Sequence, residues 1–162
     1  MASRLMSDLH PSVRARAIAM LQQLEIKKII VLIYCTLRSR QEQAAHYAQS
    51  RQELVIVNRL RRQVGMAPIT NEENSIPATW ARPGLSWHEY GLALDMVPVV
   101  CGKLIWTKTD PLWKKLGAIG VSCGLEWAGN WRAPKTETPH FQYTGKFTKE
   151  DLEKGNPIPT DL

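Results

Sequence analysis

The amino-acid sequence predicts an α+β domain built on a small, largely antiparallel sheet flanked by helices. Three observations carry this. Apolar residues recur at helical spacing in two separate stretches, 11–24 and 111–123. Between and after them lie short runs with strand character, at 29–34 and 92–97. The whole chain has 162 residues, enough for one domain with a core that needs no disulfides. Residues 1–162 are therefore read as a single domain, with no room for a separate binding module.

The elements follow in order. Val13, Ala17, Leu21 and Leu24 line one face of a first helix that begins near Pro11. Ile29 to Tyr34 is rich in β-branched residues and short, hence a buried strand. Ser39 and Glu42 have capping-box spacing, so a helical region starts there. It is expected to break near Ser50 and to end near Gly65, before Pro68. Its Arg59, Arg61 and Arg62 read as a solvated face. Residues 66–86 read mainly as loop. Leu92, Leu94 and Met96 alternate with Ala93, Asp95 and Val97, which predicts a second strand. Asp110 and Pro111 open another helix as N-cap and first residue, and Gly124 stops it. Leu125–Trp127 and Phe141–Tyr143 are candidates for two further short strands.

The formal charge is +6 and the pI about 9.4. Such a surface attracts polyanions in general, whether nucleic acid, lipid or wall polymer. No helix-turn-helix, zinc-finger or aromatic-basic sheet signature appears, so no nucleic-acid partner is expected. The longest apolar run, Ile29 to Cys35, is too short to span a bilayer, so no stable membrane insertion is expected. The first ten residues have no apolar signal-peptide core. Cys35, Cys101 and Cys123 are odd in number and widely spaced, which suggests reduced, mostly buried thiols rather than a disulfide framework.

Four histidines occur. His10 precedes the first helix, and His46 lies inside a helix without a partner at ligand spacing. Both read as surface or packing residues. His88 differs, because after Gly91 the chain enters an apolar strand that carries Asp95. A strand aspartate is costly to bury unless it is paired or bound to metal. His140 follows Glu137 by three residues, and Pro139 disfavours a continuous helix across them. Two imidazoles, a buried carboxylate and a spare carboxylate are the groups a zinc hydrolase uses. Three hold the ion, a fourth position takes water, and an acid moves the proton. By composition alone, a capped loop and a salt-bridged aspartate would account for the same residues.

The full pattern is more specific. Ser86-x-His88, then Asp95, then Glu137-x-x-His140, resembles the zinc D-Ala-D-Ala carboxypeptidase/L-alanyl-D-glutamate endopeptidase family. Leu37-Arg38-Ser39, the segment from Glu42 to Gln49, Arg82-Pro83-Gly84, Gly124-Leu125-Glu126-Trp127, Trp131 and Pro139-His140-Phe141-Gln142 fit it as well. The resemblance covers about residues 12–144. It implies one zinc ion per chain, at the sheet, bound by His88, Asp95 and His140. It implies Glu137 as catalytic base, where many relatives have Asp, and Arg38 as the group that meets a substrate carboxylate or the developing oxyanion. Leu37 stands where a tyrosine is more usual. Ser86 is expected to support the site by hydrogen bonding. Trp87, Trp127 and Trp131 either line a groove or fill the core around the metal.

Within that family the chain looks most like single-domain phage or prophage endolysins that cut the L-Ala–D-Glu bond of bacterial peptidoglycan. A monomer is expected, held in the host cytoplasm until a holin opens the membrane, and then acting on the wall in the periplasm. In the stem peptide the α-carboxylate of D-Glu is free, and an arginine fork suits it. A D,D-carboxypeptidase or dipeptidase of the same family is the alternative, and a non-catalytic zinc-stabilised binding domain a more distant one. Glu137 argues against the latter.

Overall fold

In a computed structural model, which describes residues 2–162, the chain forms six α-helices and five strands. The helices are α1 (Pro11–Ile26), α2 (Arg40–Ala48), α3 (Leu54–Gln63), α4 (Asn71–Asn74), α5 (Pro111–Ser122) and α6 (Lys149–Glu153). The strands are β1 (Ile30–Cys35), β2 (Ala93–Val100), β3 (Lys103–Leu104), β4 (Glu126–Trp127) and β5 (His140–Gln142). The sheet order is β1-β2-β5-β4, with β3 joined to β2, and every pairing is antiparallel. The expected α+β class with a small antiparallel sheet is what forms.

Local chemistry sets the element ends. Ser39 and Glu42 make the anticipated capping box at α2. Ser50 adopts a positive φ of 67° where the helical region breaks into α2 and α3. Asp110 accepts from the Leu112 amide at the start of α5, and Gly124 leaves it at φ 83°. Two features lie outside the sequence reading. Thr70 and Glu73 form a capping box over the single-turn α4, inside the segment expected to be mainly loop. The β2–β3 hairpin also extends β2 through Pro98, which is tolerated because the β5 ladder ends at Asp95.

The alternation of β2 and β5 divides the molecule. Leu94 and Phe141 are register partners and fully buried. With Met96 they join the core formed by Val13, Ala17, Met20 and Leu24 of α1 and Trp113, Leu116 and Ile119 of α5. Asp95, His140 and Gln142 therefore point to the opposite face, because strand side chains alternate. Two glycines let α5 lie flat on this core. A Cβ on Gly117 would sit 2.1 Å from the Trp127 ring, and one on Gly120 would sit 2.4 Å from the Phe141 ring.

The cysteine expectation needs correction. Cys35 is buried, but Cys101 is exposed in the turn after β2 and Cys123 is only partly covered at the end of α5. All three are free thiols. Among the described residues no helix is long and apolar enough to cross a membrane.

Gly117 gives a test whose sign is diagnostic. Elsewhere in a helix, glycine to alanine adds up to about 1 kcal/mol of stability. Gly117→Ala should instead cost about 1–3 kcal/mol, the usual penalty for overpacking a core. Urea denaturation would read this, and an unchanged or higher midpoint would show that Trp127 can move aside.

Candidate metal centre

The centre is built by strand register. Asp95 of β2 stands directly opposite His140 of β5, and Cys35 of β1 stands opposite Asp95 on its other side. Three strands thus place Cys35, Asp95 and His140 in one row. His88 arrives from a short 3-10 turn, Trp87–Tyr90, just before β2. Gly91 closes this turn at φ 65°, and a Cβ there would meet the Asp8 carbonyl at 2.5 Å. Glu89 fixes the approach by accepting from the Gly84 and Ser86 amides.

The polar atoms converge closely. His88 Nε2 lies 3.1 Å from His140 Nδ1, and each lies 3.2 Å from Asp95 Oδ1. Ligand atoms at about 2.0–2.1 Å from a tetrahedral zinc would stand roughly 3.3 Å apart, so the triangle has the size that zinc requires. All three residues are buried.

Hydrogen bonding decides which nitrogen of His140 faces this triangle with a lone pair. Glu126 Oε2 can only accept, so the Gln142 amide nitrogen must donate to it, at 2.8 Å. Gln142 Oε1 is then turned to His140 Nε2, at 3.0 Å, and accepts a hydrogen bond from its N–H. Nδ1 is left as the lone-pair atom of the neutral ring. Trp131 donates its indole N–H to Glu126 and packs beside His140, with ring centroids 5.6 Å apart. This chain of contacts orients the His140 ring.

Cys35 is the residue that sequence reasoning missed. Its Sγ lies 3.4 Å from His88 Nδ1, the nitrogen turned away from the triangle. Cys35, His88 and Asp95 also offer ligand atoms within 4.8 Å of one another, so two candidate sets share His88 and Asp95. The triangle with His140 is tighter. Burial, and then the charge of Asp95, pushes the Cys35 thiol up to about 12, which favours a hydrogen-bonding role behind His88. No sequence motif marks Cys35. Only its register opposite Asp95 does.

Charges in the centre are strongly coupled. Burial opposes ionisation of Asp95, yet His88 and His140 prevail and hold its carboxyl well below the ordinary range. Burial also disfavours charge on His140, but contact with Asp95 raises its pKa. Arg38 Nη2 lies 3.6 Å from Asp95 Oδ2, and Arg38 Nη1 donates to Gln43 Oε1 at 2.9 Å. Buried Gln43 is anchored in turn on the Ala81 carbonyl. Arg38 Nε is buried with no hydrogen-bond partner.

A cleft of about 410 Å³ opens at the centre, and Arg38, Ser86, Trp87, His88, Asp95, Glu137 and His140 are among the residues that line it. Glu137 is open to solvent as a residue, yet protein atoms crowd its carboxyl and raise its pKa. His46 also lines the cleft, a place that its reading as a surface or packing residue did not foresee. Burial, then Arg38 and Arg61, lowers its pKa to about 4, so it is neutral. Ser86 is buried at the start of the His88 turn. Trp127 does not line the cleft. It stacks on Phe141 and donates to the Thr138 carbonyl at 2.8 Å, bracing the segment between Glu137 and His140 from the core side.

Comparison with known proteins agrees with this architecture. A family model described as D-alanyl-D-alanine carboxypeptidase, of the M15 peptidases, matches residues 80–143. The peptidoglycan L-alanyl-D-glutamate endopeptidase CwlK of Bacillus subtilis (strain 168) is 32% identical over 146 residues, 84% of this chain and 74% of its own. Among solved structures, the L-Ala D-Glu endopeptidase ChiX of Serratia marcescens superposes with a TM-score of 0.52 at 20% identity, covering 89% of each chain. The vancomycin-resistance D,D-pentapeptidase VanY, solved with Zn(II), gives 0.54 at 15% identity over 93% of this chain and 81% of its own. These two share the fold. On the strength of the sequence match to CwlK, the chain belongs to the M15 peptidase family.

Proposed function

We propose that this protein is a zinc peptidase that hydrolyses the L-Ala–D-Glu bond of the peptidoglycan stem peptide, with His88, Asp95 and His140 as the metal ligands. The observation that carries the metal assignment is the triangle of ligand atoms 3.1–3.2 Å apart, with the His140 tautomer fixed by Gln142. The choice of bond is supported by the activity named for CwlK, the relative matched over most of this chain. The matched family's description favours a second reading, a D,D-carboxypeptidase.

When bound, zinc supplies a water of lowered pKa and a Lewis acid for the scissile carbonyl. The protein's residues do the rest. Glu137, beside the ligands in the cleft, takes the proton of the attacking water and passes it to the departing amine of D-Glu. Its raised pKa suits that exchange. Arg38 lines the cleft, stays charged, steadies Asp95, and is the group that meets charge developing on the substrate. Cys35 and Gln142 hold the two imidazoles in place. The likeness of the 124–127 and 139–142 segments to phage enzymes supports a lytic role, with a holin giving access to the wall.

Product analysis tests the bond. Mass spectrometry of digested peptidoglycan should find glycan-linked L-Ala and peptides with a new D-Glu amino terminus. Release of free D-Ala would establish the carboxypeptidase reading instead.

Glu137→Gln should fold, keep its zinc and lose roughly 10²–10⁴-fold in rate. Loss of zinc from this variant would make Glu137 a ligand, and normal turnover would assign the base elsewhere. Glu89 and Glu126 are poor substitutes, since both are engaged in structural hydrogen bonds.

Protons and zinc compete for the same imidazoles. Zinc affinity should weaken as pH falls through the raised value of His140, and more steeply once His88, whose pKa burial lowers, also protonates. Competition titration against a chelator reads this. A flat affinity across that range would remove the histidines from the ligand set.

A further inference from the structure

The cleft holds positive charge that the chemistry above does not use. Lys135 and Lys149 both line it, together with Glu137 and His140. They come from different parts of the chain. Lys135 sits in the connection between β4 and β5, and Lys149 begins α6. Folding therefore brings two lysines to the lining of one cavity of about 410 Å³.

Neither lysine forms an ion pair among the described residues. The third cation of the cleft, Arg38, is committed to Gln43, Cys35 and Asp95. Of the two carboxylates in the cleft, Asp95 is held by His88, His140 and Arg38. The lysines are thus the uncommitted positive charge beside the reacting groups. Lys149 is exposed as a residue, yet the protein atoms around its ammonium group, and then the neighbouring Lys135, lower its pKa. An anion beside the two lysines would relieve that cost of charge. Lysine is a flexible point charge and suits a carboxylate whose position shifts as a peptide settles.

We propose that Lys135 and Lys149 form a carboxylate-binding subsite of the cleft, which seats a free carboxylate of the stem peptide away from the bond being cut. The inference rests on the peptidoglycan reading and adds to it a basis for selectivity: peptides with free carboxylates are preferred over their amidated counterparts.

The test is steady-state kinetics on soluble stem-peptide fragments in paired forms, with carboxylates free or converted to carboxamides. The zinc-loaded enzyme is compared with Lys135→Ala/Lys149→Ala and with Lys135→Arg/Lys149→Arg. Zinc content and thermal midpoint confirm that each variant is folded, and Lys149→Gln alone serves if the double variant is not. The native enzyme should favour the free acid by roughly tenfold in kcat/KM, chiefly through KM, as expected for one charge-assisted hydrogen bond. In the alanine variant this ratio should fall toward one, and arginine should restore it. An equal loss on both forms would overturn the proposal and leave the lysines to tune Glu137 or to steer the enzyme to a polyanion. A native enzyme without preference would overturn it too. A native enzyme that cleaves neither form would remove the peptidoglycan reading itself.

Discussion

The antiparallel register between β2 and β5 is the constraint on which the centre depends. It sets Asp95 opposite His140 and, one step along, Leu94 opposite Phe141. A slip of one residue would turn the carboxylate into the core and a phenyl ring into the cleft. The apolar partners thus specify the polar ones. Burial of Leu94, Met96 and Phe141 against α1 and α5 fixes the position of Asp95, which otherwise would be a costly residue inside a strand.

Around that pair, the protein supplies orientation more than additional ligands. Gln142 is two residues from His140 and on the same face, so the strand that delivers the imidazole also delivers the group that selects its tautomer. Glu126 and Trp131 extend the support to β4 and to the turn after it. On the other side Cys35, Arg38 and Gln43 connect His88 and Asp95 to α2 and to the 79–81 segment. Apart from His140 and Gln142, which share β5, these side chains are held by partners from other elements, so the geometry belongs to the tertiary structure rather than to a single loop.

Much of this was legible in the sequence. Strand alternation around Asp95, the capping box at Ser39 and the Asp110-Pro111 start of α5 are local signals, and the elements form where these signals fall. The convergence of His88, Asp95, Glu137 and His140 on one cleft was implied by the resemblance to the zinc peptidase family, not by composition or spacing alone. Cys35 and the cleft position of His46 were not legible, because both depend on strand register and helix docking over long sequence separations. Trp127 was ambiguous for the same reason, since an aromatic beside a motif can face either side of a sheet. The small β3 was hidden by Pro98, a residue that argues against a strand unless one knows where the neighbouring ladder stops.

The flat face of α5 has a consequence for engineering. Gly117 and Gly120 rest on Trp127 and Phe141, and these rings are the immediate chain neighbours of groups that build the centre: Glu126, His140 and Gln142. Thermal robustness and turnover are consequently encoded by the same few residues on opposite sides of two short strands. A directed-evolution campaign for a hardier enzyme would find little freedom there. The α2–α3 hairpin beyond Ser50 and the exposed turn at Cys101 offer sites where sequence can drift without moving an imidazole.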